Sequence, residues 1–318
     1  MLVSSHSWGD DAMARNKQPS KPIHQMTVRD FERMFPDDDA CKLYLAEHRW
    51  PEFVVCPRCG NAEVKPHARA FHWQCYACTP GGGYRFSVLV GTVFENTNVD
   101  LRQWFRVIHL MLTSKKGISA LQVFRYMGFG SYKTAWYMCH RVRAGLANED
   151  FRKLMGIVEV DETFVGGKAK NRHWDKRGGG GGTGGIGSGK TPSIGAVERK
   201  GKVVTRVINN VDAATLTAFV RGAVSEKVSL ICTDAWRGYG PLGREFPHGV
   251  VDHAKGQYVV GAIHTNTIEG FWSIFKRGVV GTFHKVSAKY MPFYIAEFQF
   301  RYNNRSNTDI FGEAINGC

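Results

Sequence analysis

The chain has 318 residues, 43% of them hydrophobic and 22% charged, with 42 Lys and Arg against 28 Asp and Glu for a formal charge of +14. This length suits a principal domain with a smaller companion, and an aromatic share of 12% excludes a disordered basic tail. So large a basic excess points to a polyanionic partner, nucleic acid foremost. No run of 18 or more apolar residues occurs, and residues 1–25 lack the apolar segment of a signal peptide. A cytoplasmic protein without membrane contact is the expectation.

Residues 1–26 are polar and aperiodic and read as a disordered leader. In the next segment Phe31, Met34 and Phe35, then Cys41, Leu43, Tyr44 and Leu45, recur at helical intervals broken by Pro36, predicting two short helices. Two Cys-x-x-Cys knuckles follow, Cys56 with Cys59 and Cys75 with Cys78, separated by fifteen residues. Each can donate two thiolates to one tetrahedral Zn²⁺, the arrangement of a zinc ribbon, and four protein ligands make the ion structural. A redox pair of dithiols is the weaker reading. His72, Trp73, Tyr84, Phe86 and Val88 alternate as short strands would. Helices and ribbon together are placed at 27–95, and the remaining cysteines (Cys41, Cys139, Cys232, Cys318) read as buried or incidental thiols.

Between 101 and 145 there are eight basic residues and no Asp or Glu, a composition suited to phosphate contact. Ile118, Leu121, Val123 and Met127 form one apolar set, Gly128 and Gly130 flank a tight turn, and Ala135, Met138 and Val142 continue the core. This predicts a helix-turn-helix within 96–150 whose second helix presents Tyr132, Lys133, Thr134, Tyr137 and Arg141 outward, with Lys115, Lys116 and Arg143 as further DNA-binding candidates. An ordinary basic helical hairpin is the alternative.

From 151 to 308 the pattern is strand, hairpin around Lys200 and Gly201, helix, strand and terminal helices, an α/β layout with a mixed sheet. Residues 309–318 read as a C-terminal tail. The glycine-rich stretch 178–190 runs into Thr191, and Gly184, Gly189, Lys190 and Thr191 match a phosphate-loop pattern. That loop needs a buried strand before it and a helix directly after the Lys-Thr pair. Here charged residues precede it and Pro192 with a strand-like run follows, so no nucleotide is expected.

Asp161 lies in the apolar run IVEVDETFV, and Asp234 ends the apolar run VSLICTD. A carboxylate in such a place is unfavourable unless a cation or donor is supplied. Glu269 follows Asp234 after 34 residues, on a helical pattern that puts Asn266, Glu269, Ser273 and Lys276 on one side and Ile268, Phe271, Trp272 and Phe275 mainly on another. Two strand aspartates and a helical glutamate suit two Mg²⁺ ions, or Mn²⁺ in their place, which complete their shells with phosphate oxygens. The implied chemistry is phosphodiester hydrolysis and strand transfer, with Lys276 neutralising a phosphate. Strand alternation puts Glu159 on the face of Asp161 and Glu162 on the other.

Through CPRCG…CYAC, KGISALQVFRYMG…YKTAWYMCHRVR, VEVDETFVGGK, TDAWRGY and HTNTIEGFWSIFKRGVVGTFHKVS…RYNNR, the chain from about 27 to 308 resembles bacterial insertion-sequence transposases of the DDE type, in the zinc-ribbon-bearing, ISXO2-like branch. The resemblance implies an RNase H-like catalytic domain, divalent-metal catalysis, binding to terminal inverted repeats and target DNA, and work as a homo-oligomer on DNA. It carries Asp161, Asp234 and Glu269 over as the catalytic, metal-binding triad, with Lys276 as accessory residue and Asn266 in reserve for the third acid. Alternatives are a noncatalytic DNA-binding regulator, a decayed copy, and an RNase H-like nuclease without strand transfer.

Overall fold

The computed structural model describes residues 26–78, 81–147, 152–166, 190–252, 255–256 and 259–318. The leader before Met26 and almost all of the glycine-rich stretch lie outside them.

Short polar side chains set the limits of the N-terminal helices. Thr27 accepts from the Asp30 N–H while the Asp30 carboxylate accepts from the Thr27 N–H, a reciprocal cap that opens α1 (Val28–Met34). Asp37 caps α2 (Asp38–Arg49) through the Ala40 N–H at 2.8 Å, and Pro36 separates the two helices as its fixed geometry requires. A three-stranded antiparallel ribbon follows, β1 (Val64–Pro66), β2 (His72–Cys75) and β3 (Tyr84–Ser87) in spatial order β1-β2-β3. Its core is small: Cys56, Cys75 and Phe86 are the buried members.

Helix α3 (Leu101–Thr113) buries Trp104, Phe105, Ile108 and Met111. Ser119 caps α4 (Ala120–Met127), which ends on Gly128 in the left-handed conformation at φ 64°, and Ser131 caps α5 (Tyr132–Gly145). Left-handed backbone favours glycine because it lacks Cβ. Two helices, α4 and α5, joined by a four-residue turn thus occupy the stretch where a helix-turn-helix or a basic helical hairpin was expected.

Five strands form the second sheet: β4 (Ile157–Val165), β5 (Thr191–Glu198), β6 (Val203–Val207), β7 (Leu230–Asp234) and β8 (His248–Val251), in spatial order β6-β5-β4-β7-β8. β5 pairs antiparallel with β4 and β6 antiparallel with β5, while β7 lies parallel to β4 and to β8. Counted from β4, the order is third, second, first, fourth, fifth, the mixed RNase H-like sheet. Helix α6 (Ala213–Ala223) covers one face, where Leu216, Phe219 and Val220 join Val158, Val160 and Ile194 in one cluster. On the other face α7 (Asn266–Gly278) and α8 (Met291–Asn303) contribute Ile268, Trp272, Phe275 and Phe298 to a cluster with Val165, Val197 and Val203.

Three local features differ from expectation or refine it. Residues 310–317, expected within a tail, form α9 (Ile310–Gly317), and its Phe311, Ala314 and Ile315 are buried in the N-terminal helical core beside Phe31, Phe35 and Phe105. β8 adds a strand between the last strand of the expected pattern and the terminal helices. Thr191, the last member of the phosphate-loop match, opens β5 and pairs with Val165, so a strand stands where that loop would need a helix.

Candidate active site

Strand alternation sorts the acids of β4. Val158, Val160 and Phe164 pack toward α6, whereas Val165 packs toward α7, so Glu159 and Asp161 face α7 and Glu162 does not. Asp234 is the final residue of β7, and the parallel register pairs Glu159 with Cys232. Two residues further along both strands, Asp161 and Asp234 therefore share a face. Asp234 Oδ1 accepts from the Trp236 N–H at 3.1 Å. Glu269 sits in the first turn of α7, and its Oε1 accepts from Thr265 Oγ1 at 2.6 Å.

Asp161 and Glu269 border a cleft of about 510 Å³ that Trp272, Ser273, Lys276, Arg277 and Val280 also line. Asp234 is outside that lining but acts on it electrostatically. Burial raises the Asp161 carboxyl well above the ordinary aspartate range, the charges of Glu162, Asp234 and Glu269 raise it further, and Lys276 opposes them. Burial also raises Glu162, against the hydrogen bond it accepts from Tyr239 Oη at 2.7 Å. The excess negative charge is the kind that hard, oxygen-seeking cations offset, so the donor set fits divalent ions. The acids border the cleft without closing a cage: among the described residues, only the four ribbon cysteines form a group of three or more metal donors all within 4.8 Å of one another. Asn266 is exposed at the first position of α7 and does not line the cleft.

At the ribbon, Cys56 Sγ and Cys78 Sγ are 3.5 Å apart, and Cys59 Sγ and Cys75 Sγ 3.7 Å. Zn–S bonds of about 2.3 Å in a tetrahedron give sulfur–sulfur edges of about 3.8 Å. The four thiols fit one zinc ion.

The basic candidates separate into three groups. Tyr132, Lys133 and Tyr137 are exposed on α5 and Thr134 is half-buried beside them, while Lys115 and Lys116 are exposed on the α3–α4 loop. That loop lies against the end of α7, since a Cβ on Gly278 would come within 2.9 Å of the Lys116 carbonyl oxygen. Arg141 is half-buried and donates to the carbonyls of Glu95 and Thr92 at 3.0 and 3.3 Å. Arg143 corrects the expectation of a DNA contact. It is 1% exposed, donates to Glu297 Oε2 at 2.7 Å and stacks over Tyr294, because α8 covers this side of α5. A guanidinium so enclosed has no path to phosphate.

Sequence reasoning gave no role to Glu159 or Arg199. In the structure they meet at 2.7 Å beneath the acidic cluster, joined by residues too distant in the chain for any spacing to announce.

Two family models match: an ISXO2-like transposase domain over residues 153–303 and a transposase zinc-ribbon domain over residues 36–80. An uncharacterized protein in transposable element ISH50 of Halobacterium salinarum is 31% identical over 265 residues, covering 81% of this chain and 88% of that protein. The chain belongs to the ISXO2-like transposase family. A second relative, an uncharacterized transposase-like protein of Haemophilus influenzae, is 30% identical over 122 residues, 37% of this chain and 97% of the relative. The transposase-domain match runs from just before β4 to the last residue of α8 and contains Asp161, Asp234, Glu269 and Lys276. The transposase zinc-ribbon match contains all four cysteines. The α4–α5 unit lies between the two matched segments. No helix of the described residues is long and apolar enough to cross a membrane.

Proposed function

We propose that this chain is a DNA transposase that binds the ends of its own insertion sequence and catalyses divalent-metal-dependent phosphodiester cleavage and strand transfer. The observation that carries the reading is the convergence of charge on Asp161: Asp234 and Glu269 act on it from β7 and α7, beside a cleft that also presents Lys276 and Arg277. Asp161, Asp234 and Glu269 would hold two Mg²⁺ or Mn²⁺ ions, which when bound stabilise the attacking and departing oxygens of an in-line displacement. Lys276 and Arg277 offset the charge of the incoming phosphate. Glu269 is preferred to Asn266 as the third acid because it lines the cleft.

DNA contact is proposed for the outward side chains of α5, namely Tyr132, Lys133, Thr134 and Tyr137, with Lys115 and Lys116 continuing the basic surface toward α7. Paired element ends would be handled by a homo-oligomer in the nucleoid, as the family reading implies. The test incubates purified protein with Mg²⁺ or Mn²⁺ and a DNA fragment carrying the element's ends. Wild type is expected to nick and join it, and Asp234→Asn to do neither. Specific binding by wild type without cleavage in either metal would overturn the reading in favour of a regulator, and cleavage without joining would favour a nuclease.

A further inference from the structure

Glu159, two residues before Asp161 on β4, is 0% exposed, a costly position for a carboxylate unless donors surround it. Four do. Oε2 accepts from the backbone N–H groups of Thr267 and Ile268 at 2.7 and 3.1 Å, and Oε1 accepts from Thr267 Oγ1 at 2.9 Å and Arg199 Nε at 2.7 Å. His264 Nδ1 lies 3.1 Å from the same oxygen. Arg199, directly after β5, also donates to the carbonyls of Ala262 and His264 at 2.6 and 3.1 Å, in the segment that enters α7. Its guanidinium is 3.9 Å from Cys232 Sγ, and Cys232 is the partner of Glu159 across the parallel strands.

The Thr267 and Ile268 N–H groups belong to the first turn of α7, where a helix supplies no internal acceptor. Thr265, the residue before α7, makes no side-chain cap. Glu159 takes that place from the neighbouring strand, and its charge also suits the positive end of the helix. One strand residue thereby ties down the turn that carries Glu269, while its own strand carries Asp161 and the paired strand carries Asp234.

We infer that Glu159 is a positioning residue which, by capping α7 from β4, fixes Glu269 against Asp161 and Asp234 for ion binding. This rests on the reading of those three acids as the ion-binding set. A purely structural Glu159 would alter stability and leave ion affinity untouched, and that difference is measurable.

The experiment uses the full chain with zinc in its ribbon. Terbium(III) luminescence sensitised by tryptophan, with Trp272 lining the cleft, reads ion affinity without reference to DNA. Glu159→Gln is the main variant, since both glutamate oxygens face donors and an amide nitrogen must oppose one of them. Thr267→Val is the milder one, because it removes only the hydroxyl donor, and Asp161→Asn serves as the site control. Supporting residues around metal ligands change affinity by about 10- to 100-fold. Glu159→Gln is therefore expected to weaken terbium binding at least ~10-fold with its circular dichroism retained, and to raise the Mn²⁺ needed for half-maximal nicking by a similar factor. Thr267→Val should shift both in the same direction by less. Unchanged terbium affinity in folded Glu159→Gln overturns the inference, and where that variant fails to fold, unchanged affinity in Thr267→Val does so. Terbium binding indifferent to Asp161→Asn would overturn it together with the ion site. Asp161-dependent terbium binding in a wild type that cleaves no DNA would sink the transposase reading alone, leaving Glu159 to be judged by its own shift.

Discussion

Gly195 stands opposite Asp161 on the adjacent strand, and a Cβ there would lie 2.8 Å from Cζ2 of Trp272 and 3.1 Å from Cδ1 of Ile268. A hydrogen at this one position lets α7 lie close enough to the sheet for Glu269 and Asp161 to line one cleft. Gly195→Ala is expected to overpack the contact by about 1–3 kcal/mol and to lower metal-dependent nicking more than ~10-fold by displacing α7. Urea unfolding and a nicking assay check the two parts, and wild-type values in both would show that α7 does not depend on the close approach.

Arg143 and Glu297 are sealed together, with Arg301 on the far side of the same carboxylate at 3.2 Å. Removing one partner of such a pair costs about 3–5 kcal/mol because the other charge stays buried. Arg143→Met should therefore destabilise strongly, yet leave the salt dependence of DNA binding unchanged in whatever fraction stays folded. Lys133→Ala should do the reverse, with little effect on stability and a loss of about one unit from the salt slope. Affinity measured over a range of salt, beside denaturant melts, distinguishes the two.

His140 supplies a pH dependence. It is packed among Trp136, Tyr290, Phe293 and Tyr294. Burial, then the charge of Arg143, lowers its pKa from 6.5 to about 4, with Glu297 opposing. As pH falls below 6.5 the unfolded chain takes up this proton while the native protein stays neutral until about 4. Stability from this residue is therefore complete above pH 6.5 and declines across that window, at most by about 1.4 kcal/mol per pH unit. Urea midpoints at several pH values should fall less steeply for His140→Gln than for wild type, and parallel curves would exclude the residue.

The ribbon has too small a core to hold its three strands without the metal. Cys75→Ser, or a strong chelator, is expected to release zinc and unfold the ribbon while the five-stranded sheet persists, with loss of specific end binding. Metal analysis and far-ultraviolet circular dichroism test this, and full zinc content in the variant would contradict it.

Much of the candidate site was legible because its acids interrupt strongly apolar runs: Asp161 and Asp234 stand out against valines and isoleucines, and Glu269 against a helix with one apolar side. The knuckle spacing made the metal site legible for a similar local reason. What stayed hidden depends on neighbours distant in sequence. Arg143 falls beside Cys139 and His140 on a second buried side of α5, and only the packing of α8 creates that side. β8 is four residues long with Gly249 inside it, and its inner surface is completed by Ile263, which would lie 2.8 Å from a Cβ at that glycine. Glu159 showed the correct strand face, but its partners stand 40 and 108 residues away.

The position of α9 bears on the order in which the protein matures. Phe311 completes an aromatic cluster with Phe31, Phe35 and Phe105, at ring separations of 5.3 to 6.3 Å. A nascent chain emerges N-terminus first, and domains ordinarily fold as they appear. Here α1, α2 and α3 wait for α9, which follows the five-stranded sheet in the chain, before their shared core closes. Translation must therefore pass through the whole five-stranded sheet before the helical unit is finished, so the α4–α5 pair, packed in that same core, is completed only in a chain that already carries the acids proposed to hold the ions.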